Sequence, residues 1–182
     1  IDGLRIALIG DLRYGRAVHS LARLLGHYDR LAFQLVSPPE LALPEGYVES
    51  LTAAGHEVIE CHELERGVQD VDILYVTRTQ EERFPTPDEA NRYRGLFRVN
   101  QAIYTRYCAP NTVIMHPLPR DSRSEAQELA DDLNSNPNLA IFRQTDNGVV
   151  VRMALFALLL DVAAKVHDHA HSVRWYTGRR AP

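Results

Sequence analysis

Short apolar runs alternate along the chain with longer amphipathic stretches, which is the rhythm of repeated strand and helix units. The apolar runs predict five strands, at residues 5–10, 31–36, 56–61, 71–77 and 112–115. The stretches between them predict helices at residues 17–28, 46–54, 64–69, 88–93 and 100–108, with Asp88 as the N-cap of the fourth. The first of these helices is expected to place Val18, Leu21, Leu24 and Leu25 on its buried face.

This order of elements predicts an α/β fold with a doubly wound, mainly parallel sheet flanked by helices. Functional side chains of such folds collect at the carboxyl ends of the strands. Residues 10–16 and 116–120 each follow a predicted strand, so these two segments should meet at one rim of the sheet. We expect one α/β domain over residues 1–146, an apolar helix over 147–165 and a polar tail over 166–182.

Composition and charge exclude several classes of protein. The chain has 182 residues, of which 45% are apolar, and this is enough for one domain with a buried core. A formal net charge of −4 gives no basic field for nucleic acid, and no apolar stretch reaches the length of a membrane span. Cys61 and Cys108 stand in no metal-binding or redox spacing. We therefore expect a cytoplasmic protein that binds neither nucleic acid nor membranes.

Residues 10–16 read Gly-Asp-Leu-Arg-Tyr-Gly-Arg, and the two glycines have the spacing of a phosphate-binding P-loop. The chemistry argues against that interpretation, because a P-loop needs Lys and then Ser or Thr where this chain has Arg16 and Ala17. Arg13 and Arg16 lie near a predicted helix N-terminus, where a cation is unfavourable by about 0.3–1 kcal/mol unless an anion is bound. These residues alone leave two interpretations open: a carboxylate-binding turn, or two solvated arginines.

Four separate segments carry a resemblance to a known family. They are residues 10–20 (Gly-Asp-Leu-Arg-Tyr-Gly-Arg-Ala-Val-His-Ser), 72–83 (Asp-Ile-Leu-Tyr-Val-Thr-Arg-Thr-Gln-Glu-Glu-Arg), 115–120 (Met-His-Pro-Leu-Pro-Arg) and 142–155 (beginning Phe-Arg-Gln-Thr-Asp-Asn-Gly). In order and spacing they are similar to aspartate carbamoyltransferases. Ornithine carbamoyltransferases share the architecture but have a cysteine where this chain has Pro117. The resemblance therefore implies a Rossmann-like aspartate-binding domain.

The resemblance also implies roles for individual residues. Arg16 and Arg78 match residues that clamp the two carboxylates of L-aspartate, and Gln80 matches one that helps orient the substrate. The backbone carbonyls at Leu118 and Pro119 match those that contact the aspartate amine and the carbamoyl nitrogen. A dicarboxylate needs two fixed cations, so the local chemistry agrees with these roles.

Two further features have both a functional and a structural interpretation. Glu82 and Arg83 match a charged pair in the family's mobile loop, which implies a gating role, although their sequence alone also fits ordinary surface charges. His116 has no partners at metal-ligand spacing, so we expect it to be a structural member of its turn.

The histidines at the end of the chain could in principle bind a metal. His167, His169 and His171 would share a face if this segment were extended, but a solvated tail is the simpler interpretation. We predict no metal site and no organic cofactor.

Family enzymes also have parts that this sequence lacks. The resemblance implies an amino-terminal domain with a Ser-Thr-Arg-Thr segment for carbamoyl phosphate, and a lysine supplied by a neighbouring subunit. The sequence contains no such segment, and its sole lysine, Lys165, lies outside the matched segments. We expect the carboxyl-terminal half of an enzyme, inactive by itself, whose helix at 147–165 packs on the missing carbamoyl phosphate domain.

The implied function is carbamoyl transfer from carbamoyl phosphate to L-aspartate, giving N-carbamoyl-L-aspartate and phosphate in de novo pyrimidine biosynthesis. The implied partners are the two substrates, the amino-terminal domain and further copies in a homotrimer. Two alternatives remain. One is a catalytically incompetent aspartate-binding or assembly module. The other is a carbamoyltransferase for a different amino-acid acceptor, because residues 84–87 depart from the family's loop length by one residue.

Overall fold

A computed structural model describes residues 1–169, without the side chains of His167 and His169. At its centre is a sheet whose neighbouring strands are all parallel. The strands of the described chain are β1 (Arg5–Gly10), β2 (Ala32–Val36), β3 (Glu57–Cys61), β4 (Ile73–Thr77) and β5 (Val113–Met115). Their order across the sheet is β3-β2-β1-β4-β5. The predicted α/β fold with a doubly wound parallel sheet is confirmed.

Helices fill the connections between the strands, and further helices follow β5. Over residues 1–169 they are α1 (Arg16–Leu25), α2 (Glu45–Ala53), α3 (Leu64–Gly67), α4 (Pro87–Asn91), α5 (Gln101–Tyr107), α6 (Ile141–Leu159) and α7 (Val166–His169). A short 3-10 turn, Glu81–Arg83, lies in the loop after β4. None of these helices combines the length and the apolar character that crossing a membrane requires.

The central strand β1 is buried on both faces, which explains its unbroken apolar sequence. Leu8 packs with Phe33 in the core on one side of the sheet. Ile9 packs with Val76 in the core on the other side. Burial on both faces fixes β1 firmly between β2 and β4, so the residues that follow it start from a rigid support.

The chain passes from β1 to β2 and β3 on one side, and then crosses to β4 and β5 on the other. The topological switch point therefore lies between the carboxyl ends of β1 and β4. Gly10, the last residue of β1, has a φ of +112°, and a Cβ there would lie 2.2 Å from the carbonyl oxygen of Thr77. Only glycine allows the two strand ends to come this close.

The buried face of α1 includes Ala22, which was not predicted, and lacks Leu24, which was. Val18, Ala22 and Leu25 are buried, whereas Leu24 is 58% exposed. The reason is helical geometry, because positions 18, 22 and 25 form one stripe at 3.6 residues per turn and position 24 falls beside it.

The predicted N-cap of α4 is also wrong. The helix begins at Pro87, and the N-cap is Thr86, whose hydroxyl accepts the N–H of Glu89. Proline suits the first helical position because its fixed φ is already helical and it has no N–H to leave unpaired. Asp88 therefore lies in the first turn, one step inside the helix.

The carboxyl-terminal helix differs from its prediction at both ends. α6 begins at Ile141, which is buried, and its first turn is closed by a hydrogen bond from the N–H of Gln144 to the carbonyl of Ala140. It ends at Leu159, before a turn in which Asp161 has a φ of +52°, a conformation that no helix interior adopts. A 3-10 turn over Ala163–Lys165 and then α7 follow.

The chain divides into two compact units, Ile1–Gln144 and Thr145–Pro182. The first contains the whole sheet. In the described part of the second, many large apolar side chains are exposed: Val149, Val150, Val151, Met153, Leu155, Phe156, Leu158, Leu159 and Leu160.

Candidate functional site

A pocket of about 220 Å³ opens at the switch point, where the carboxyl ends of β1, β4 and β5 lie side by side. We call it the switch-point pocket. All of the substrate-binding and loop residues predicted from the sequence line it: Arg16, Arg78, Gln80, Glu82, Arg83, Leu118 and Pro119. Its remaining lining residues are Gly15, Ala17, Thr77, His116 and Pro117. The structure thus brings together segments that lie far apart in the sequence.

The turn after β1 separates the two arginines that the sequence could not distinguish. Arg16 begins α1, is exposed and lines the pocket. Arg13 is not part of the lining. Its guanidinium lies over the ring of Tyr14 and donates to the carbonyl of Glu40 at 3.2 Å. Of the two, only Arg16 lines the pocket.

Arg78 follows β4 and binds a carboxylate within its own loop. Its Nη1 and Nη2 atoms donate to the two carboxylate oxygens of Glu82, at 3.1 and 2.8 Å. Nη1 also donates to the carbonyl of Thr79. The hydrogen bonds with Glu82 raise the pKa of Arg78 and lower the pKa of Glu82. The Arg78 guanidinium is therefore oriented to hold a carboxylate in the two-pronged geometry that arginine favours.

Asp11 is a site residue that our sequence analysis missed. It is fully buried, and its carboxylate accepts the backbone N–H of Tyr14 and that of Gln80, each at 2.9 Å. Burial raises the pKa of this carboxyl, while the backbone hydrogen bonds oppose that shift. Asp11 thus joins the turn that carries Arg16 to the loop that carries Gln80. The available signal was an aspartate directly after a buried strand, three residues before the amide it accepts from.

The turn after β5 forms a third side of the pocket, beside the turn after β1 and the loop after β4. His116 holds this turn in its conformation. The backbone N–H of Leu118 donates to His116 Nδ1 at 2.8 Å, so the ring proton lies on Nε2. Nε2 is 2.7 Å from Glu128 Oε1 but makes no hydrogen bond with it. Both side chains are almost fully buried. His116 is held inside this turn, and its neighbour Leu118 has a φ of +57°.

The loop after β4 also takes part in an ionic network that no sequence pattern predicts. The Glu81 carboxylate accepts from Arg94 and from Arg123, and Arg123 also binds Asp121. Hydrogen bonds from Arg94 and then Arg123 hold the pKa of Glu81 down at about 2. Arg123 stands far from Glu81 in the sequence, so no local pattern could have revealed the contact.

The lining of the switch-point pocket is suited to an anionic ligand. Arg16, Arg78 and Arg83 contribute three cations, against one carboxylate from Glu82. The site also offers the carboxamide of Gln80 and the turn that contains Leu118 and Pro119. Guanidinium groups can bind carboxylates, and carbonyl groups can accept from an amine.

Among residues 1–169, no group of three or more His, Cys, Asp or Glu side chains is arranged to hold a metal ion. That statement does not extend to the three histidines considered for a metal, because His171 and the side chains of His167 and His169 lie outside the described structure.

Comparison with known proteins identifies the family. Residues 2–159 match the family described as "Aspartate/ornithine carbamoyltransferase, Asp/Orn binding domain". The aspartate carbamoyltransferase catalytic subunit of Cellvibrio japonicus is 62% identical over 181 residues, covering 100% of this chain and 54% of the relative.

Solved structures agree with this match. The catalytic subunit of M. jannaschii aspartate transcarbamoylase is similar with a TM-score of 0.76 and 38% identity, over 88% of this chain and 51% of that one. Aspartate transcarbamoylase from Trypanosoma cruzi, in complex with carbamoyl phosphate and aspartate, gives a TM-score of 0.74 and 35% identity, over 85% and 50%. The chain spans about half the length of the relatives it matches. With its parallel sheet and its switch-point pocket, the chain belongs to the aspartate/ornithine carbamoyltransferase family.

Proposed function

We propose that this chain is the aspartate-binding portion of an aspartate carbamoyltransferase and that the switch-point pocket binds L-aspartate. The observation that carries the proposal is the convergence of Arg16 and Arg78 on one pocket that also contains Gln80. Two guanidiniums match the two carboxylates of aspartate. A substrate carboxylate would replace Glu82 and bind Arg78 in the same two-pronged geometry. Ornithine has a cationic side chain, which these arginines would repel.

In the proposed reaction, this chain holds the nucleophile. The α-amine of aspartate, in its neutral form, attacks the carbonyl carbon of carbamoyl phosphate to give a tetrahedral intermediate. The intermediate collapses with loss of phosphate, the nitrogen loses a proton, and N-carbamoyl-L-aspartate forms without a covalent enzyme adduct. The carbonyls of Leu118 and Pro119 would accept from the amine and orient its lone pair. Catalysis would then come mainly from positioning and electrostatic stabilisation.

The electrophile would be held by another part of the enzyme. We propose an amino-terminal carbamoyl phosphate domain as the partner of this chain and a homotrimer as the complete assembly. The enzyme would act in the cytoplasm and catalyse a step of pyrimidine biosynthesis. The T. cruzi relative described above, which was solved with both substrates, supports carbamoyl phosphate as the second substrate. Glu82 and Arg83 lie on the turn Glu81–Arg83 and line the pocket, and we propose that they help gate the site.

The first experiment is an assay for carbamoyl-aspartate from carbamoyl phosphate and L-aspartate. It uses this chain alone, and then this chain mixed with an amino-terminal carbamoyl phosphate domain from a relative. Activity only on mixing is the expected result. Activity by the chain alone would mean that the carbamoyl phosphate site has been misplaced, and inactivity in both cases would favour a binding module.

A panel of amino-acid acceptors tests the specificity of the pocket. L-aspartate should be the preferred acceptor, with L-asparagine and L-ornithine much poorer because each fails to offer two carboxylates. A preference for any monocarboxylate acceptor would contradict the assignment of Arg16 and Arg78 as a paired clamp.

A further inference from the structure

Glu81 occupies an unusual place in the loop that follows β4. Its neighbours Gln80 and Glu82 both line the switch-point pocket, but Glu81 does not. Its carboxylate instead accepts from Nε and Nη2 of Arg94, each at 2.9 Å, and from Nη1 and Nη2 of Arg123, at 3.2 and 2.7 Å. Two guanidiniums thus bind the carboxylate of a residue that lies outside the pocket lining. We call Glu81, Arg94 and Arg123 the rear clamp.

The backbone forces the two arginines together. Their segments are joined further along by a parallel bridge between Val99 and Leu129. Gly95 has a φ of +69°, and a Cβ there would lie 2.5 Å from the carbonyl oxygen of Glu125, so the two segments are in close contact beside Arg94. Two like charges held side by side repel each other unless a carboxylate lies between them. Glu81 supplies that carboxylate.

The rear clamp also reaches the opposite wall of the pocket. Arg123 binds the Asp121 carboxylate, and the backbone N–H of Asp121 donates to Glu128. Glu128 contacts the ring of His116, which accepts the N–H of Leu118. A continuous series of polar contacts therefore runs from Glu81, in the loop after β4, to Leu118, in the turn after β5.

The same loop is also fixed through its backbone. Asp11 accepts the backbone N–H of Gln80 at 2.9 Å, so the Gln80–Glu81 segment is held by Asp11 at its backbone and by two guanidiniums at the Glu81 side chain. Two separate anchors on adjacent residues leave the loop little freedom to shift. Side chains on that loop therefore keep a defined distance from the turn after β5.

We propose that Glu81 is a positioning residue for aspartate binding, which sets the separation between the Arg78–Gln80 wall and the Leu118–Pro119 wall through Arg94 and Arg123. The identity of the ligand rests on the proposed function above, and the anchoring itself does not.

Substitution of Glu81 by glutamine separates positioning from simple charge. Glu81→Gln removes a negative charge near an anion-binding pocket, so an electrostatic effect alone would lower the KM for aspartate. Loss of positioning has the opposite sign, and we expect the KM for aspartate to rise about tenfold, because small misplacements of binding groups are costly. The KM for carbamoyl phosphate should stay unchanged. The assay uses the enzyme assembled from this chain and its amino-terminal partner domain.

Two further variants complete the test. Arg123→Lys keeps the charge but loses the planar fork that binds Glu81 and Asp121 together, so it should raise the KM for aspartate in the same direction by a smaller factor. Glu49→Gln is the matched control, because Glu49 is exposed on α2 and its loss removes the same charge away from the rear clamp. It should leave both KM values unchanged.

The outcomes are distinct. An unchanged or lowered KM for aspartate in Glu81→Gln overturns the proposal, and so does a loss of kcat with both KM values unchanged, since that marks a purely structural role. Amide hydrogen exchange of residues 79–84, measured without substrate, tests the anchoring independently. Exchange should be faster in Glu81→Gln than in the wild type or Glu49→Gln, and equal exchange overturns the rear clamp. A wild-type assembly that makes no carbamoyl-aspartate overturns the proposed function instead, and the exchange result then decides the anchoring.

Discussion

Arg78 is the residue on which the proposed substrate depends most directly. Arg78→Ala should weaken aspartate binding by about 1.5–3 kcal/mol, or about 10- to 150-fold in Kd, because one substrate carboxylate loses its charged hydrogen bonds. Calorimetry with the assembled enzyme measures the change. Arg92→Ala is the control, since Arg92 is exposed and does not line the pocket. Equal affinity in the Arg78 and Arg92 variants would remove Arg78 from the site.

Glu81 makes stability depend on pH in the acid range. Its pKa in the folded protein is about 2, below the ordinary value of 4.5, mainly because of Arg94 and then Arg123. The folded state therefore favours the ionised carboxylate. The resulting contribution to stability is complete above a pH of about 4.5 and is lost as the pH falls towards about 2.

Urea unfolding of the wild type and of Glu81→Gln, at a series of pH values from neutral to acid, measures this contribution. The wild type should be the more stable protein near neutral pH, and the difference should shrink as the pH falls below about 4.5. A difference in the free energy of unfolding that stays constant over this range would show that the two arginines do not lower the pKa of Glu81.

Individual residues also mark the limit of prediction from the sequence. The residues taken from motifs, such as Arg16 and Gln80, line the switch-point pocket as a group. Asp11 and Glu81, which hold those residues in place, were missed. Their partners are a backbone amide and two arginines from other segments, and the choice of partner depends on how the segments pack.

At the scale of elements, the turn after β5 depends on one buried histidine. His116→Ala would leave the Leu118 N–H without its acceptor and the buried Glu128 carboxylate without its imidazole contact. Leaving a buried donor without its acceptor costs about 1–3 kcal/mol, so the free energy of unfolding should fall by about that amount. Denaturant titration measures the loss. His27→Ala, on the exposed surface, should have little effect, and equal stability of the two variants would contradict the role assigned to His116.

The ends of the elements were predicted unequally well. Each predicted strand ends at the same residue as its observed counterpart, because polar residues begin where the buried strand stops. The predicted bounds of α6 were wrong at both ends. At its carboxyl end no glycine or proline marks the termination, and Asp161 takes the left-handed conformation instead. Strand ends have a local chemical signal here, and the end of this helix has none.

At the scale of the whole molecule, the exposed apolar side chains of α6 should govern behaviour in solution. Leu159 is 80% exposed and Phe156 63% exposed, beside several other large apolar residues. Surfaces of this kind promote association, so the isolated chain should form oligomers and bind hydrophobic dyes. Light scattering measures the size distribution. A double variant, Leu155→Lys with Leu159→Lys, should shift the chain towards monomer.

A clean monomer with low dye binding in the unmodified chain would contradict this expectation. If the amino-terminal domain covers the same surface, its addition should reduce both oligomer size and dye binding. An unrelated soluble protein at the same concentration is the control for that addition.

The strand order has a consequence for how the protein is made. β1 lies in the middle of the sheet, yet it leaves the ribosome before either of its neighbours. One of its edges is paired as soon as β2 emerges, whereas the other waits for β4, with α2, β3 and α3 synthesised in between. During that interval an apolar strand edge is open to wrong partners. Pauses in translation or chaperone binding would therefore matter most while residues 37–72 are being synthesised.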